Sequence, residues 1–247
     1  MNDISVYILA ALATLITLAV HEYAHGYAAF RLGDPTAKNL GRLTLNPLKH
    51  LDPVGAICMV LFHFGWAKPV PINPRYFKKP KRDFALTALA GPATNLLLAF
   101  LSVPLYLLLY RVFSGVDFPT ELSFRMAYFT LLFIQLFHLL NLGLAIFNLI
   151  PIPPLDGSRI LHAVLPERLY FKLMRYERTI YLCLIVWLLA GGVVSNALLR
   201  LPVLGDSPVI RVIAEILSLS GLLGRAIGAL SSLMFRLWEL IPFLSMY

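Results

Sequence analysis

The chain has 247 residues, of which 59% are hydrophobic and only 14% are charged. Its mean hydropathy is +0.76. Soluble domains carry about 25% charged residues, so this composition argues against a secreted or cytosolic globule and indicates several membrane spans. The net charge of +8 lies beside apolar runs without any stacking or groove-reading motif. This pattern favours the lipid bilayer over nucleic acid as a partner.

The first predicted helix covers about residues 4–30 and is apolar through Val20. A helix rising about 1.5 Å per residue needs about 20 residues to cross the hydrocarbon, so this segment is long enough to span it. Gly33 and Pro35 then end the helix. No basic leader region or cleavage site precedes the apolar run, which predicts a retained span rather than a signal peptide.

Residues 36–83 differ from the rest of the chain. Residues 42–46 alternate polar and apolar side chains, which predicts a short strand. The following apolar run, 54–66, is too short for a standard span. We interpret this region as a small re-entrant β-hairpin element, which requires cover from protein or contact with water at membrane depth.

Three more helices are predicted at about 84–110, 124–150 and 180–199, from their length and hydropathy. Residues 207–245 mix apolar and charged residues, which favours amphipathic surface helices, with one further span as the alternative. The predicted fold class is therefore a membrane all-α protein. It is a polytopic helical bundle of about four or more spans with the small re-entrant β-hairpin element. Residues 1–199 are its predicted core, and residues 200–247 form C-terminal amphipathic or membrane-associated helices.

The connections between predicted spans differ in charge. Ten Lys and Arg residues lie between the first and second spans, two between the second and third, and five between the third and fourth. Because basic loops stay on the cytoplasmic side, the N-terminus is predicted to face outward and both basic connections to face the cytoplasm. The expected location is the cell membrane, as a multi-pass protein, with its active site toward the cytoplasm.

The sequence His21, Glu22, Tyr23, Ala24, His25 is an HExxH motif inside the first predicted span. Residues four apart share a helix face, so both imidazoles can bind one metal ion, and Glu22 can take a proton from a metal-bound water. Catalytic zinc usually has three protein ligands, and Asp156 is the best candidate for the third. It follows a proline-rich stretch that leaves the third predicted helix on the same side of the membrane.

Two alternatives for these residues remain open. The histidine motif could be a polar cluster between helices or a proton relay, although an ionised glutamate in hydrocarbon is costly. Asp156 by itself could be a turn residue or a helix cap, because Asp-Gly is a common turn pair.

With these residues placed, the chain resembles the site-2 protease family of intramembrane zinc metallopeptidases, in a compact form without a PDZ or nucleotide-sensing domain. The resemblance covers most of residues 15–165. It implies zinc (Zn2+) bound by His21, His25 and Asp156, with Glu22 as the catalytic base. It also implies that Asn148 stabilises the substrate or the developing oxyanion. The matching stretches are HExxH, RLGDPTA from Arg31, GRLTLNPLKHLDP from Gly41, FGWAKPVPINP from Phe64, GPATN from Gly91 and NLIPIPPLDG from Asn148.

A substrate helix must unwind before it is cleaved, because its carbonyls are already hydrogen bonded. An exposed strand edge can hold the opened segment, and residues 42–46 with the following hairpin are the candidates. Asn95 is expected to order this substrate-binding region, with packing of a helix kink as an equal alternative. The other histidines are expected to be ordinary polar residues rather than ligands: His50, His63, His138 and His162.

The predicted function is that of a zinc metalloendopeptidase that hydrolyses peptide bonds within or next to transmembrane segments of membrane-protein substrates. The alternative is a zinc-binding membrane protein for metal handling or transport, without proteolysis. Glu22 separates the two, because a site that only binds metal needs no base. A third hypothesis, an inert scaffold, is disfavoured by the intact HExxH and LDG motifs. The sequence identifies neither a substrate nor a regulatory membrane partner.

Overall fold

The computed structural model describes residues 3–55, 57, 67–200, 219–241 and 243–244. This part of the chain is mostly helical. Two short 3₁₀ turns, Pro47–Lys49 and Pro74–Tyr76, lie between the first long helix and the second. The principal helices are α1 (Asp3–Arg31), α2 (Thr36–Asn39), α3 (Pro80–Ser114), α4 (Glu121–Asn148), α5 (Asp156–Val164), α6 (Glu167–Arg175), α7 (Glu177–Leu199) and α8 (Leu219–Glu239).

Three helices of the described part are long and apolar enough to cross a membrane: Ile4–Arg31 of α1, all of α3 and all of α4. At most 28% of the most apolar stretch of each is buried inside the protein, so the remaining apolar side chains are available to lipid. Helix α7 forms where the fourth span was predicted. Its crossing of the membrane, and a total of four or more spans, stay predictions.

Helix α3 lies at the centre of the described bundle and contacts α1, α4, α5 and α8. The core cluster consists of Ala99, Val103 and Leu107 from α3, Leu142 from α4 and Met234 from α8. In lipid, burial of apolar surface contributes little free energy to helix association, so close packing between helices matters more. Met234 packs α8 against this cluster, and the indole of Trp238 donates a hydrogen bond to the carbonyl of Phe100 at 3.0 Å. The preceding part of the predicted C-terminal region, residues 201–218, lies outside the described residues.

The end of α1 is built as the Gly-Asp-Pro sequence predicted. Gly33 has a φ of +109°, in the region that favours glycine, and the helix ends two residues before it. The buried carboxylate of Asp34 then accepts hydrogen bonds from the backbone of Thr36 at 2.9 Å and of Asn73 at 2.7 Å. Asp34 thereby ties the end of α1 to the segment that precedes α3.

The predicted β-hairpin is wrong for the described residues. Residues 42–46 form no strand, and a single antiparallel bridge joins Leu51 to Ala67. Side chains take the backbone groups that a strand ladder would use: the His50 ring donates to the Thr44 carbonyl, and Arg42 donates to the Lys68 carbonyl, both at 2.8 Å. Alternating polarity alone does not form a sheet when no partner strand is available. The rest of the predicted re-entrant run 54–66 lies outside the described residues, apart from 54, 55 and 57.

Candidate metal centre

Helices α1 and α5 bring the three predicted metal ligands together. The Nε2 atoms of His21 and His25, one turn apart on α1, are 3.0 Å from each other. The Oδ2 atom of Asp156, the first residue of α5, lies 3.2 Å from His21 Nε2 and 3.1 Å from His25 Nε2. All three residues are buried. They form the one group within the described residues whose ligand atoms are close enough to hold a metal ion.

The dimensions of this triangle fit a tetrahedral zinc ion. Bonds of about 2.0–2.2 Å at tetrahedral angles place ligand atoms about 3.3–3.6 Å apart. The observed separations of 3.0 to 3.2 Å are shorter than the lower end of that range by at most about 0.3 Å. Two imidazoles and one carboxylate are also a donor set used by catalytic zinc sites, which keep a fourth position open for water.

The hydrogen bonds behind the two rings leave their inner nitrogens free for a cation. The Nδ1 atom of His25 lies 2.8 Å from the backbone carbonyl of Thr87, which can only accept, so Nδ1 carries the proton of the neutral ring. The Nδ1 atom of His21 lies 2.8 Å from Oδ1 of Asn95. The unprotonated Nε2 of His25 and the carboxylate of Asp156 repel each other unless a cation lies between them, and the arrangement therefore suits a metal.

Two glycines give the ligands the space they occupy. A Cβ at Gly91 of α3, in the GPATN stretch, would overlap the rings of His21 and His25. A Cβ at Gly157, beside Asp156, would overlap the carbonyls of Leu149 and Ile150. The glycine of the LDG stretch is thus required by close packing, and φ of Gly157 is not in the positive range that a glycine-specific turn would use.

Glu22 lies beside the ligands and is half-buried. Its Oε2 atom accepts a hydrogen bond from the backbone N–H of Val70 at 2.7 Å. This contact holds residues 67–72 against α1, beside the HExxH motif.

A cavity of about 360 Å³ opens on the three ligands. Its walls come from α1, residues 67–72, the end of α4, the start of α5 and α7. Asn148 lies in this wall and donates one amide hydrogen to the Leu144 carbonyl at 3.0 Å, which leaves its second amide hydrogen for another acceptor. Polar and charged residues among those lining the cavity are His21, Glu22, His25, Asn148, Asp156 and Arg159.

Asn95 is placed differently from the other predicted site residues. Its side chain is fully buried and contacts His21 on one side and Asn141 of α4 on the other. It does not line the cavity. Its predicted role in ordering the substrate region stays a prediction, while its contact with a ligand suggests another role. Sequence reasoning missed Thr87 and Asn141, because neither belongs to a motif with a chemical signature.

None of the other described histidines belongs to the metal group. The ring of His138 lies between the carbonyl of Ala99, at 2.9 Å, and the hydroxyl of Ser231, at 2.9 Å. The ring of His162 stacks on Tyr170 with centroids 3.9 Å apart. Burial lowers the pKa of His162, and the charge of Lys81 lowers it further. His63 lies outside the described residues.

A helical bundle with membrane-spanning helices and a buried HExxH motif completed by an aspartate belongs to the class of zinc metallopeptidases. The sequence pattern of peptidase family M50 matches residues 9–191 of the chain, which therefore belongs to this family. The protein is thus a zinc metallopeptidase of the membrane.

Relatives carry the same description. The chain is 44% identical over 163 residues to "Putative zinc metalloprotease YwhC" of Bacillus subtilis. This match covers 66% of this chain and 72% of that protein. It is 32% identical over 163 residues to "Putative zinc metalloprotease Rip2" of Mycolicibacterium smegmatis, covering 64% and 57% of the two chains. The Rip2 protein of Mycobacterium tuberculosis is 29% identical, with 62% and 55% covered. The chain thus spans little more than half of the Rip2 proteins. No solved structure matches the chain.

Proposed function

We propose that this protein is an intramembrane zinc endopeptidase that hydrolyses peptide bonds within or next to transmembrane segments of other membrane proteins. The observation that carries the proposal is the depth of the metal group. His21 lies 17 residues after Ile4 and His25 lies 6 residues before Arg31, the two ends of the span. At about 1.5 Å per residue, the motif is about 26 Å from one end and about 9 Å from the other. That depth supports a position of the motif within the hydrocarbon, near one face.

The proposed roles follow from the contacts of each side chain. His21, His25 and Asp156 would hold the metal. When bound there, zinc would supply a lowered pKa of water, toward about 7, and polarisation of the carbonyl to be attacked. Glu22 removes the proton of the attacking water and returns it to the leaving amine, so that both proton transfers use one carboxylate. The backbone of Val70 keeps Glu22 oriented by binding Oε2, and within the described residues Oε1 has no hydrogen-bond partner.

Asn148 is proposed to stabilise the negative charge that develops on the attacked carbonyl oxygen. Its amide lines the cavity and has one hydrogen to spare after the bond to Leu144. A preorganised amide donor of this kind typically contributes about 3 kcal/mol to the transition state.

Residues 67–72 are proposed to hold the unwound substrate by strand addition. Proline at positions 69, 71 and 74 keeps the preceding residues extended. The N–H groups of Lys68 and Val70 are already used by the His50 carbonyl and by Glu22. Since Pro69 and Pro71 lack an N–H, residues 68–71 offer only carbonyl oxygens, and the substrate backbone must supply the donors to them.

The basic connections before α3 and after α4 support an orientation with the site toward the cytoplasm, in a multi-pass cell-membrane protein. The substrate proposed for this position is a membrane protein with a transmembrane helix, cut near its cytoplasmic end.

The test uses purified protein reconstituted in lipid vesicles with a panel of single-span membrane proteins. Glu22→Gln is expected to retain one zinc per chain and to slow cleavage by about 10²- to 10⁴-fold, because only the base is lost. Asp156→Ala is expected to lose zinc and cleavage together. The matched control is Glu121→Gln, which removes an exposed carboxylate paired with Arg125 at the start of α4; it should leave both properties unchanged.

Cleavage at the wild-type rate by Glu22→Gln would refute the proposed mechanism. Wild-type protein that binds zinc, cuts no substrate and moves radioactive zinc across the vesicle membrane would support the metal-handling alternative instead.

A further inference from the structure

Four buried polar side chains on three helices form a hydrogen-bonded circuit that begins and ends on α1. Asn141 of α4 donates to the hydroxyl of Thr17 at 2.9 Å. Asn95 of α3 donates to Oδ1 of Asn141 at 2.9 Å, and Oδ1 of Asn95 lies 2.8 Å from Nδ1 of His21. None of the four side chains belongs to a residue that is more than 4% exposed. Thr17 and His21 are one turn apart, so the circuit closes on one face of α1.

The direction of every hydrogen bond in the circuit follows from one backbone carbonyl. The Nδ2 group of Asn141 lies 2.8 Å from the carbonyl of Phe137, which can only accept. The other end of the Asn141 amide must therefore be the oxygen, and the group of Asn95 that faces it must be the NH₂. Asn95 then turns its own oxygen to His21, so in the neutral ring Nδ1 of His21 carries the proton and Nε2 does not. This reasoning does not depend on how the amide ends were assigned.

We propose that Asn95 and Asn141 are positioning residues that hold His21 in the tautomer with an unprotonated Nε2, ready to bind metal. The proposal rests on the proposed function in one respect, namely that His21 is a ligand. Asn95 alone would not be sufficient, because its amide could rotate and present NH₂ to Nδ1. The opposite tautomer would then carry its proton on Nε2, where the metal must bind.

Asn141 prevents that rotation. A rotated Asn95 would place its oxygen against the oxygen of Asn141, and this repulsion is strong because both side chains are fully buried. The second ligand, His25, needs no such arrangement, because its Nδ1 faces the carbonyl of Thr87 directly. The two ligands are thus held by α3 in different ways, one by backbone and one by a relay of side chains.

The competing explanation is that the circuit only ties the helices together, as polar residues do in other bundles. Both explanations predict a loss of stability when the circuit is cut. They differ in the tautomer of His21, which a purely structural bond between helices does not control.

The experiment measures two quantities in lipid nanodiscs, using full-length protein. Nitrogen NMR of histidine labelled with ¹⁵N in metal-free protein reports which ring nitrogen of His21 carries the proton. Competition with a chelator reports zinc affinity. The variants are Asn95→Leu, Asn141→Leu and the double variant Asn141→Leu with Asn95→Asp. The control is Ser102→Ala, which breaks a buried contact of α3 with His138 that has no connection to His21.

We expect Asn95→Leu and Asn141→Leu to move part of the His21 population to the Nε2-protonated tautomer and to weaken zinc binding by about 10- to 100-fold. The double variant should recover both properties, because an aspartate at position 95 can only accept and does not need Asn141 to orient it. Ser102→Ala should change neither. The recovery also guards against misfolding of Asn141→Leu, since a chain that does not fold would not bind zinc again.

The proposal is overturned if Asn141→Leu keeps the wild-type tautomer and zinc affinity, or if the double variant recovers neither. Failure of the proposed function has a different result: wild-type protein would bind no zinc, or His21→Ala would bind it as tightly as wild type. In that case the NMR measurement still decides whether the circuit controls the tautomer.

Discussion

The close approach of α3 to the HExxH motif predicts that a single methyl group at Gly91 disrupts the metal site. A Cβ there would lie 2.7 Å from Cε1 of His21 and closer still to the ring of His25, whereas ordinary contact begins at 3.4 Å. To restore ordinary contact, the His21 ring must move by about 0.7 Å and the His25 ring, whose Nε2 atom would lie 2.4 Å away, by about 1.0 Å, unless α3 moves instead. Because metal–ligand distances tolerate only about 0.2 Å, we expect Gly91→Ala to weaken zinc binding by at least about tenfold, or about 1.4 kcal/mol.

Gly91→Ala is not expected to stabilise the protein, although helix propensity alone predicts that it would. Replacing a helical glycine by alanine stabilises a helix by about 1 kcal/mol, while overpacking costs about 1–3 kcal/mol, so Gly91→Ala is expected to be neutral or destabilising. Gly228→Ala in α8 is the matched control, since a Cβ there meets nothing within 4 Å. It should be neutral or stabilising, with unchanged zinc affinity. Chelator competition and thermal unfolding in nanodiscs measure both effects, and wild-type zinc affinity in Gly91→Ala would refute the reasoning.

Two further predictions concern the cavity wall and the helices beyond it. Asn148→Ala should lower kcat by about 10²- to 10³-fold with zinc content unchanged, because only the transition state gains from this amide; an unchanged kcat in vesicles would exclude the oxyanion role. The pKa of His162 is lowered in the folded protein, first by burial and then by Lys81, so the unfolded chain binds more protons below about pH 6.5. Stability is therefore expected to fall as the pH drops through that value. His162→Phe keeps an aromatic ring against Tyr170 and should reduce this dependence in thermal unfolding between about pH 8 and about pH 5.

The helices were predictable because their signals are local. Hydropathy over about 20 residues indicates α1, α3 and α4, and the order of glycine, aspartate and proline after Arg31 indicates where α1 ends. The pairing of His21 with His25 follows from helix periodicity, since residues four apart share a face whatever the rest of the fold does.

Pairing between distant backbone segments was not predictable in the same way. The alternation in residues 42–46 predicts a strand, but a strand needs a partner, and the described backbone finds its partners in Arg42 and His50 instead. Likewise Asp-Gly is a common turn pair, but the reason for a glycine at position 157 is the proximity of two carbonyls, those of Leu149 and Ile150, directly after α4. Both facts depend on packing and have no signal in nearby residues.

By itself, the sequence determined that the chain enters a membrane, that a metal motif lies in its first span, and that Asp156 was the best available third ligand. Composition and short-range periodicity are sufficient for these conclusions. Only the tertiary structure decided which ring nitrogen of each histidine carries the proton. The Thr87 carbonyl decides this for His25, and the pair Asn95 and Asn141 decides it for His21. The reason is physical: a hydrogen bond between helices depends on where three separate helices meet, and residues up to 124 positions apart along the chain take part in one circuit.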